Sequence, residues 1–237
     1  MTTELKDVFG QAIKDYFNGE NAIIKTYSSV GGWDELPTSY LFRKFQDMPE
    51  IEQTALQMSF GKVLDLGCGA GSHSLYLQDK GLKVRPIDIS EGAIWTCRQR
   101  GLAQAEVKDL WNIKNEKFDT ILSLMNGAGI CGSMNNVPGF LEHLKSLLQT
   151  NGQILIDSSD IIYMFEDDQG IIDIPELDNY YGEVLFESEY KGVRSGTYPW
   201  LYIDFYNLQH QASLQNLKCE LVVQGPHYDF LARITSG

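Results

Sequence analysis

Val63-Leu64-Asp65-Leu66-Gly67-Cys68-Gly69-Ala70-Gly71 is the stretch whose reading decides the fold. Apolar residues lead into and past a carboxylate, and glycine then recurs at every second position. Ser72 to Gln78 reads as the opening of a helix. A strand, a glycine turn and a helix in that order bring bare backbone against a ligand. Glycine has no Cβ to block approach, and the first turn of a helix offers free N–H groups. A dinucleotide fingerprint, G-x-G-x-x-G, would need its third glycine at position 72, which is Ser72.

Outward from this turn, the pattern is that of alternating strands and helices. Leu82 to Ile87 predicts a second strand ended by Asp88, which lies 23 residues beyond Asp65. A nucleotide fold places the acid that holds the ribose hydroxyls at about this distance. Ser90 caps a helix from Glu91 to Arg100, and Gly101 ends it. Pro86 cannot donate to a sheet, so a local distortion is expected there. A short edge strand follows at Ala105 to Lys108, then a strand at Phe118 to Leu124 with the glycine-rich loop Met125 to Gly132. A helix from Val137 to Gln149 and a strand from Gln153 to Asp157 complete the alternation. Ligands of an open α/β sheet sit beyond the carboxyl ends of its strands, which places the loop after Leu124 at the site.

Towards the N terminus, Leu5, Val8, Phe9, Ala12, Ile13, Tyr16 and Phe17 have helical spacing, with Asn18-Gly19 as the stop. Asn21 to Pro37 reads as a loop around Gly31-Gly32-Trp33, and Thr38 to Gln46 as a short helix. Asp47-Met48-Pro49-Glu50 reads as a capping box that starts a further helix. Past Asp157 come Ser158-Ser159-Asp160 and the acidic run Glu166-Asp167-Asp168. Nine of the chain's 27 aromatic residues then fall between Tyr180 and Tyr206. Phe186 and Tyr190 share one face of a strand, as do Tyr198, Trp200 and Tyr202, with a turn from Gly192 to Gly196. This predicts an inserted β-hairpin whose large rigid rings suit substrate stacking and homodimerisation equally. A helix over Leu208 to Leu217 and strands at Glu220 to Val223 and Tyr228 to Ile234 end the chain.

The G-x-G-x-G spacing behind an acid resembles the first motif of the class I S-adenosylmethionine-dependent methyltransferases, especially their uncharacterised bacterial small-molecule members. The resemblance is close over residues 60 to 157 and rests on element order beyond. It implies an α/β fold of three αβα layers, Rossmann-like, around a seven-stranded, mostly parallel sheet of order 3-2-1-4-5-7-6. N-terminal helices over residues 1–60 would form a cap or lid. Residues 61–237 would form the methyltransferase domain, with the aromatic insert at about 160–206. It also implies S-adenosyl-L-methionine as cofactor and S-adenosyl-L-homocysteine as product. Asp65, Gly67, Cys68, Gly69, Gly71, His73, Asp88, Ile89, Asp109, Leu110, Leu124 and Asn126 are the residues expected around it. The helix start at Gly71 suits the cofactor's carboxylate, Asp65 its ammonium, Asp88 the ribose and Asp109 the adenine.

A net charge of −13 opposes phosphate backbones, and no basic track offsets it, so nucleic acid is not the expected substrate. The loop after Leu124 also lacks the N-P-P-Y tetrapeptide of amino-group methyltransferases acting on adenine or glutamine. A small-molecule acceptor is expected, lined by Tyr16, Tyr27, Trp33, Tyr40, Arg43, Tyr198 and Trp200. Asn126, Asp157 and Asp160 are the candidate catalytic groups. Cys68, Cys97, Cys131 and Cys219 form no C-x-x-C pair, so no metal site is expected. No apolar run approaches 18 residues, which predicts a soluble, cytoplasmic chain without a membrane partner. Two other functions fit the same residues: a cofactor-binding partner or regulator without catalysis, and an aminopropyl-type transferase.

Overall fold

Residues 5–167, 169–174 and 179–237 are described in the computed structural model of the chain; Asp168 of the acidic run lies outside them. The N-terminal part comprises α1 (Val8–Phe17), β1 (Ile23–Ser28), β2 (Gly32–Pro37) and α2 (Glu50–Met58). The alternating part follows as β3 (Lys62–Leu66), α3 (Ser72–Asp79), β4 (Lys83–Asp88), α4 (Glu91–Gln99) and β5 (Glu106–Val107). It continues through β6 (Phe118–Ser123), α5 (Val137–Ser146) and β7 (Leu148–Ser159). The last part holds β8 (Glu183–Tyr190), β9 (Val193–Arg194), β10 (Tyr198–Leu201), α6 (Phe205–Leu214), β11 (Leu217–Gln224) and β12 (Asp229–Ser236).

Seven strands form a mostly parallel sheet in the spatial order β11-β12-β7-β6-β3-β4-β5, with β12 antiparallel to both β7 and β11. Strand side chains alternate between faces, and both faces of this sheet are covered. Leu64, Leu66, Ile121, Ile154 and Ile156 pack with Phe140, Leu141 and Leu144 of α5 and Leu208 and Ala212 of α6. Val63, Leu122, Leu155 and Leu231 pack on the other face with Ile51, Ala55 and Leu56 of α2 and Leu77 of α3. The result is a sheet between two helical layers.

Four main strands of a second sheet run in the order β10-β8-β1-β2, with β9 paired to β8. Residues 21–37 are thus a hairpin turning at Gly31 and Gly32, where a loop is expected from the sequence. The reason is long-range: β1 gains its second partner from β8, with Tyr27 opposite Glu187 and Ser28 opposite Phe186. Local pattern carries no trace of a partner so distant. The aromatic insert, read alone as a hairpin, is therefore the other half of a sheet shared with the N terminus. Val8 and Ala12 of α1 pack on Ile24 and Tyr190 on its inner face.

Three smaller differences have local causes. Thr38–Phe42 and Phe45–Asp47 are separate 3-10 turns in place of one helix. Met48 is extended (φ −81°, ψ 149°), as a residue before proline tends to be, so Asp47 cannot cap α2, whose N-cap is Pro49 with no side-chain bond. Pro86 causes no distortion: β4 keeps its register on β3 with Pro86 opposite Asp65, and pairing to β5 begins only at Ile87. A missing donor is harmless where the strand has no neighbour to receive it.

Candidate functional site

Gly67, Gly69 and Gly71 all have positive φ (66°, 53° and 83°) after the end of β3, a backbone that other residues adopt only with strain. Their surroundings differ. A Cβ on Gly67 would have Ile130 Cδ1 at 3.8 Å as its nearest neighbour, and one on Gly69 only the Gly67 carbonyl at 4.0 Å. Both therefore face open space. A Cβ on Gly71 would lie 2.5 Å from Leu102 and 2.8 Å from Cys97 Sγ. Gly71 thus serves close packing at the start of α3, and only the first two glycines offer a bare cradle. Cys68 is buried in the small cluster around Ile94 and Cys97, also away from the open side.

Carboxylates frame the cradle. Asp65 is buried and accepts a hydrogen bond from Ser74 Oγ at 2.6 Å. Burial raises its pKa, against opposing pulls from the His73 charge and the Ser74 hydroxyl. Asp88 accepts from the backbone N–H of Gly69 at 2.9 Å and of Ser90 at 2.8 Å, so it ties the glycine turn to the start of α4. Burial raises this carboxyl too, less the stabilisation those two N–H groups give its charged form. Ile89, next in the chain, is 73% exposed and offers an uncovered apolar side chain beside Asp88. Asp109 is exposed and accepts from Trp111 N, while Leu110 is buried in the main core.

The sequence reading omits Asp7, Glu52 and Arg100. Asp7 accepts from Gly10 N at the start of α1 and from Gly92 N in the first turn of α4. One carboxylate thus caps two helices, whose close crossing requires Gly92 because a Cβ there would overlap the Gly10 backbone. Arg100 donates to the Ala70 carbonyl behind the cradle. Glu52 of α2 is buried between Arg43 and His73, bonding His73 Nε2 at 2.6 Å and forming an ion pair with Arg43. Burial favours the neutral form of both Glu52 and His73. Their hydrogen bond and the nearby charges outweigh this, leaving Glu52 below and His73 above its ordinary value. His73 is therefore a buried strut between α2 and α3. Asp7 before Val8 was recognisable as a capping residue, but the pairing of Glu52 with His73 leaves no local signature.

The loop after β6 is held in an unusual shape. Met125 and Asn126 both have positive φ (66° and 59°). Asp157, at the end of β7, holds them by accepting from Met125 N at 3.1 Å and Gly127 N at 2.8 Å. Ser158 Oγ accepts from Ile203 N and bonds to Asn126 Oδ1 at 3.2 Å. The Asn126 amide nitrogen is buried and has no partner among the described residues. Asp160 is also engaged, by Ile162 N and the Tyr181 hydroxyl.

Burial pushes the Asp157 carboxyl up to about 6, despite the two backbone N–H groups that favour its charged form. Its folded pKa lies above its unfolded value near 3.8, so the folded state holds the proton more tightly. Stability should then be lost as pH rises from about 4 to about 6, by an amount on the order of 3 kcal/mol. Urea unfolding of wild type and Asp157→Asn across that range checks this. The wild type should lose stability relative to the variant as pH rises; a constant difference would refute it.

Among the expected substrate residues, the second sheet separates two pairs. Register partners share a face, and Tyr198 lies opposite Phe186, Trp200 opposite Val184. These belong to the inner face with buried Val184, Ser188 and Tyr190. Trp200 covers the backbone of Gly129 so closely that a Cβ there would overlap its indole. Tyr27 and Trp33 lie on the outer face, with Trp33 45% exposed and their rings 5.4 Å apart. They therefore do not line the same volume. The Tyr16 and Phe42 rings meet at a tilt of 49° with centres 4.8 Å apart, and the Arg43 guanidinium lies 3.7 Å from the centre of the Tyr40 ring. Trp200 is the member that the structure places against the loop, while Arg43 is held by Glu52 and the Tyr40 carbonyl.

These residues fit the cofactor implied by the glycine motif: two open glycines, a helix start and carboxylates able to face an ammonium, a sulfonium and a diol. A family profile described as "Methyltransferase domain" matches residues 63–152. YqeM of Bacillus subtilis (strain 168) is 26% identical over 103 residues, which span 41% of this chain and 42% of YqeM. The structure of the CcbJ methyltransferase from Streptomyces caelestis shares the fold, at 13% identity and a TM-score of 0.66, over 98% of this chain and 99% of that one. A structure of a Bacteroides fragilis S-adenosylmethionine-dependent methyltransferase, in complex with S-adenosyl-L-homocysteine, is 41% identical with a TM-score of 0.90. That likeness covers 98% of this chain and 95% of the other. With its cradle geometry and this full-length likeness, the chain belongs to the S-adenosylmethionine-dependent methyltransferases, and S-adenosylmethionine is its cofactor.

Proposed function

We propose that the protein transfers a methyl group in line to a small-molecule acceptor held between the loop after β6 and the inner face of the second sheet. The observation that carries this reading is the seating of Trp200 on Gly129, which sets an aromatic roof over the loop at the carboxyl end of the main sheet. Bound S-adenosylmethionine supplies an already activated methyl group, so the protein's task is alignment and exclusion of water. Gly67 and Gly69 admit the cofactor against bare backbone, Asp65 faces its ammonium, Asp88 accepts from the ribose diol, and Ile89 and Asp109 flank the adenine. The roof keeps water out, and the unpartnered Asn126 amide orients the acceptor. Asp157 shapes the loop by holding two backbone N–H groups, which makes it a positioning residue and not a free base.

The test is incubation with methyl-labelled cofactor and a fractionated metabolite extract. Label should appear in a low-mass product with one equivalent of S-adenosylhomocysteine. Cofactor binding without labelled product from any fraction would favour the non-catalytic reading. In a parallel incubation with the decarboxylated cofactor, label left in methylthioadenosine beside an aminopropylated product would favour the other scaffold activity.

A further inference from the structure

Asp65, Asp88 and Asp157 end or nearly end β3, β4 and β7, Asp160 follows β7, and Asp229 begins β12 opposite Ser159. All five thus stand at the same edge of the main sheet. Among the described residues, none lies within ion-pair distance of a lysine, arginine or histidine. The cations that reach this edge are otherwise engaged. Arg43 and His73 both pair with Glu52, and Arg100 bonds the Ala70 carbonyl behind the glycine turn. Tyr40 senses the resulting field: burial raises its phenol pKa, Arg43 opposes, and Glu52, Asp157 and Asp229 raise it further.

An aromatic face lies beside the Asp157 end of this row, where Trp200 covers Gly129 in the loop that Asp157 holds at Gly127 N. Phe186, Tyr198 and Trp200 share the inner face with ring centres 6.1, 6.3 and 6.4 Å apart. Ring faces carry negative potential and attract cations, as carboxylates do. Resting on the methyltransferase reading, we infer that the acceptor is a primary or secondary amine on an apolar or aromatic body, and not a phenol, carboxylate or phosphate.

The charge balance of the reaction supports the same choice. The bound ammonium first gives a proton to water. The freed lone pair then forms the N–C bond as the C–S bond breaks, and the sulfur keeps that electron pair as a neutral thioether. Positive charge passes from sulfur to nitrogen and stays among the same carboxylates throughout. An anionic acceptor would instead have to shed its water beside these carboxylates, with the cofactor's sulfonium as the cation it meets.

Calorimetric titration of the protein saturated with S-adenosylhomocysteine tests this with three probes of similar shape: 2-phenylethylamine, 2-phenylethanol and 3-phenylpropanoate. The amine should bind at least tenfold more tightly than the carboxylate, with the alcohol between. Asp160→Asn should narrow that ratio severalfold, whereas Tyr198→Leu should weaken all three probes. Equal affinities, a reversed order or no binding of the amine overturns the inference. Failure of S-adenosylhomocysteine itself to bind in the same samples would instead overturn the methyltransferase reading.

Discussion

Replacing Asp88 by alanine is expected to weaken S-adenosylhomocysteine binding by roughly 10- to 100-fold, the equivalent of about 1.5–3 kcal/mol for lost hydrogen bonds to a charged group. The effect should exceed that of one ligand contact. Asp88 also fixes the cradle, because its two oxygens accept from Gly69 N and Ser90 N. Alanine removes the proposed ribose acceptor and releases both donors together. Asp88→Asn keeps one accepting oxygen and should fall between wild type and alanine. Calorimetry measures the affinities, and thermal unfolding without ligand verifies that each variant folds. Unchanged affinity in a folded alanine variant would remove Asp88 from the site.

Gly129→Val should leave cofactor affinity within about threefold of wild type while lowering turnover by roughly 100-fold, the scale expected when a reactant is displaced by about an ångström. The side chain would enter the volume of the Trp200 indole, so the roof must move. Overpacking of this kind costs roughly 1–3 kcal/mol of stability. Adding Trp200→Ala to the valine variant relieves the overlap, and should restore the melting temperature without restoring turnover. Recovery of turnover in the double variant would mean that the indole has no part in holding the acceptor. Loss of cofactor binding in the single variant would place the roof within the nucleotide site.

The cradle was legible in the chain because its determinants are local. Positive φ at Gly67 and Gly69 and the helix beginning at Ser72 are properties of a dozen consecutive residues, and Ser90 caps α4 within three positions of itself. The acceptor side was legible only as composition. The density of rings between Tyr180 and Tyr206 announced an arm, but four candidate residues could not be sorted. Pairing of β8 with β1 assigns Tyr198 and Trp200 to one face and Tyr27 and Trp33 to the other.

The sequence by itself determined the order of the main sheet's elements, the glycine turn and the carboxylates that frame it, since backbone freedom and hydrophobic period act over short spans. Only the tertiary structure decided that the N-terminal hairpin and the late insert form one sheet, that Gly71 packs against a neighbouring helix, and that Glu52 buries His73. Each depends on a partner far away in the chain. The loop entropy that such contacts must overcome, and the burial that repays it, exist only once the whole chain has closed on itself.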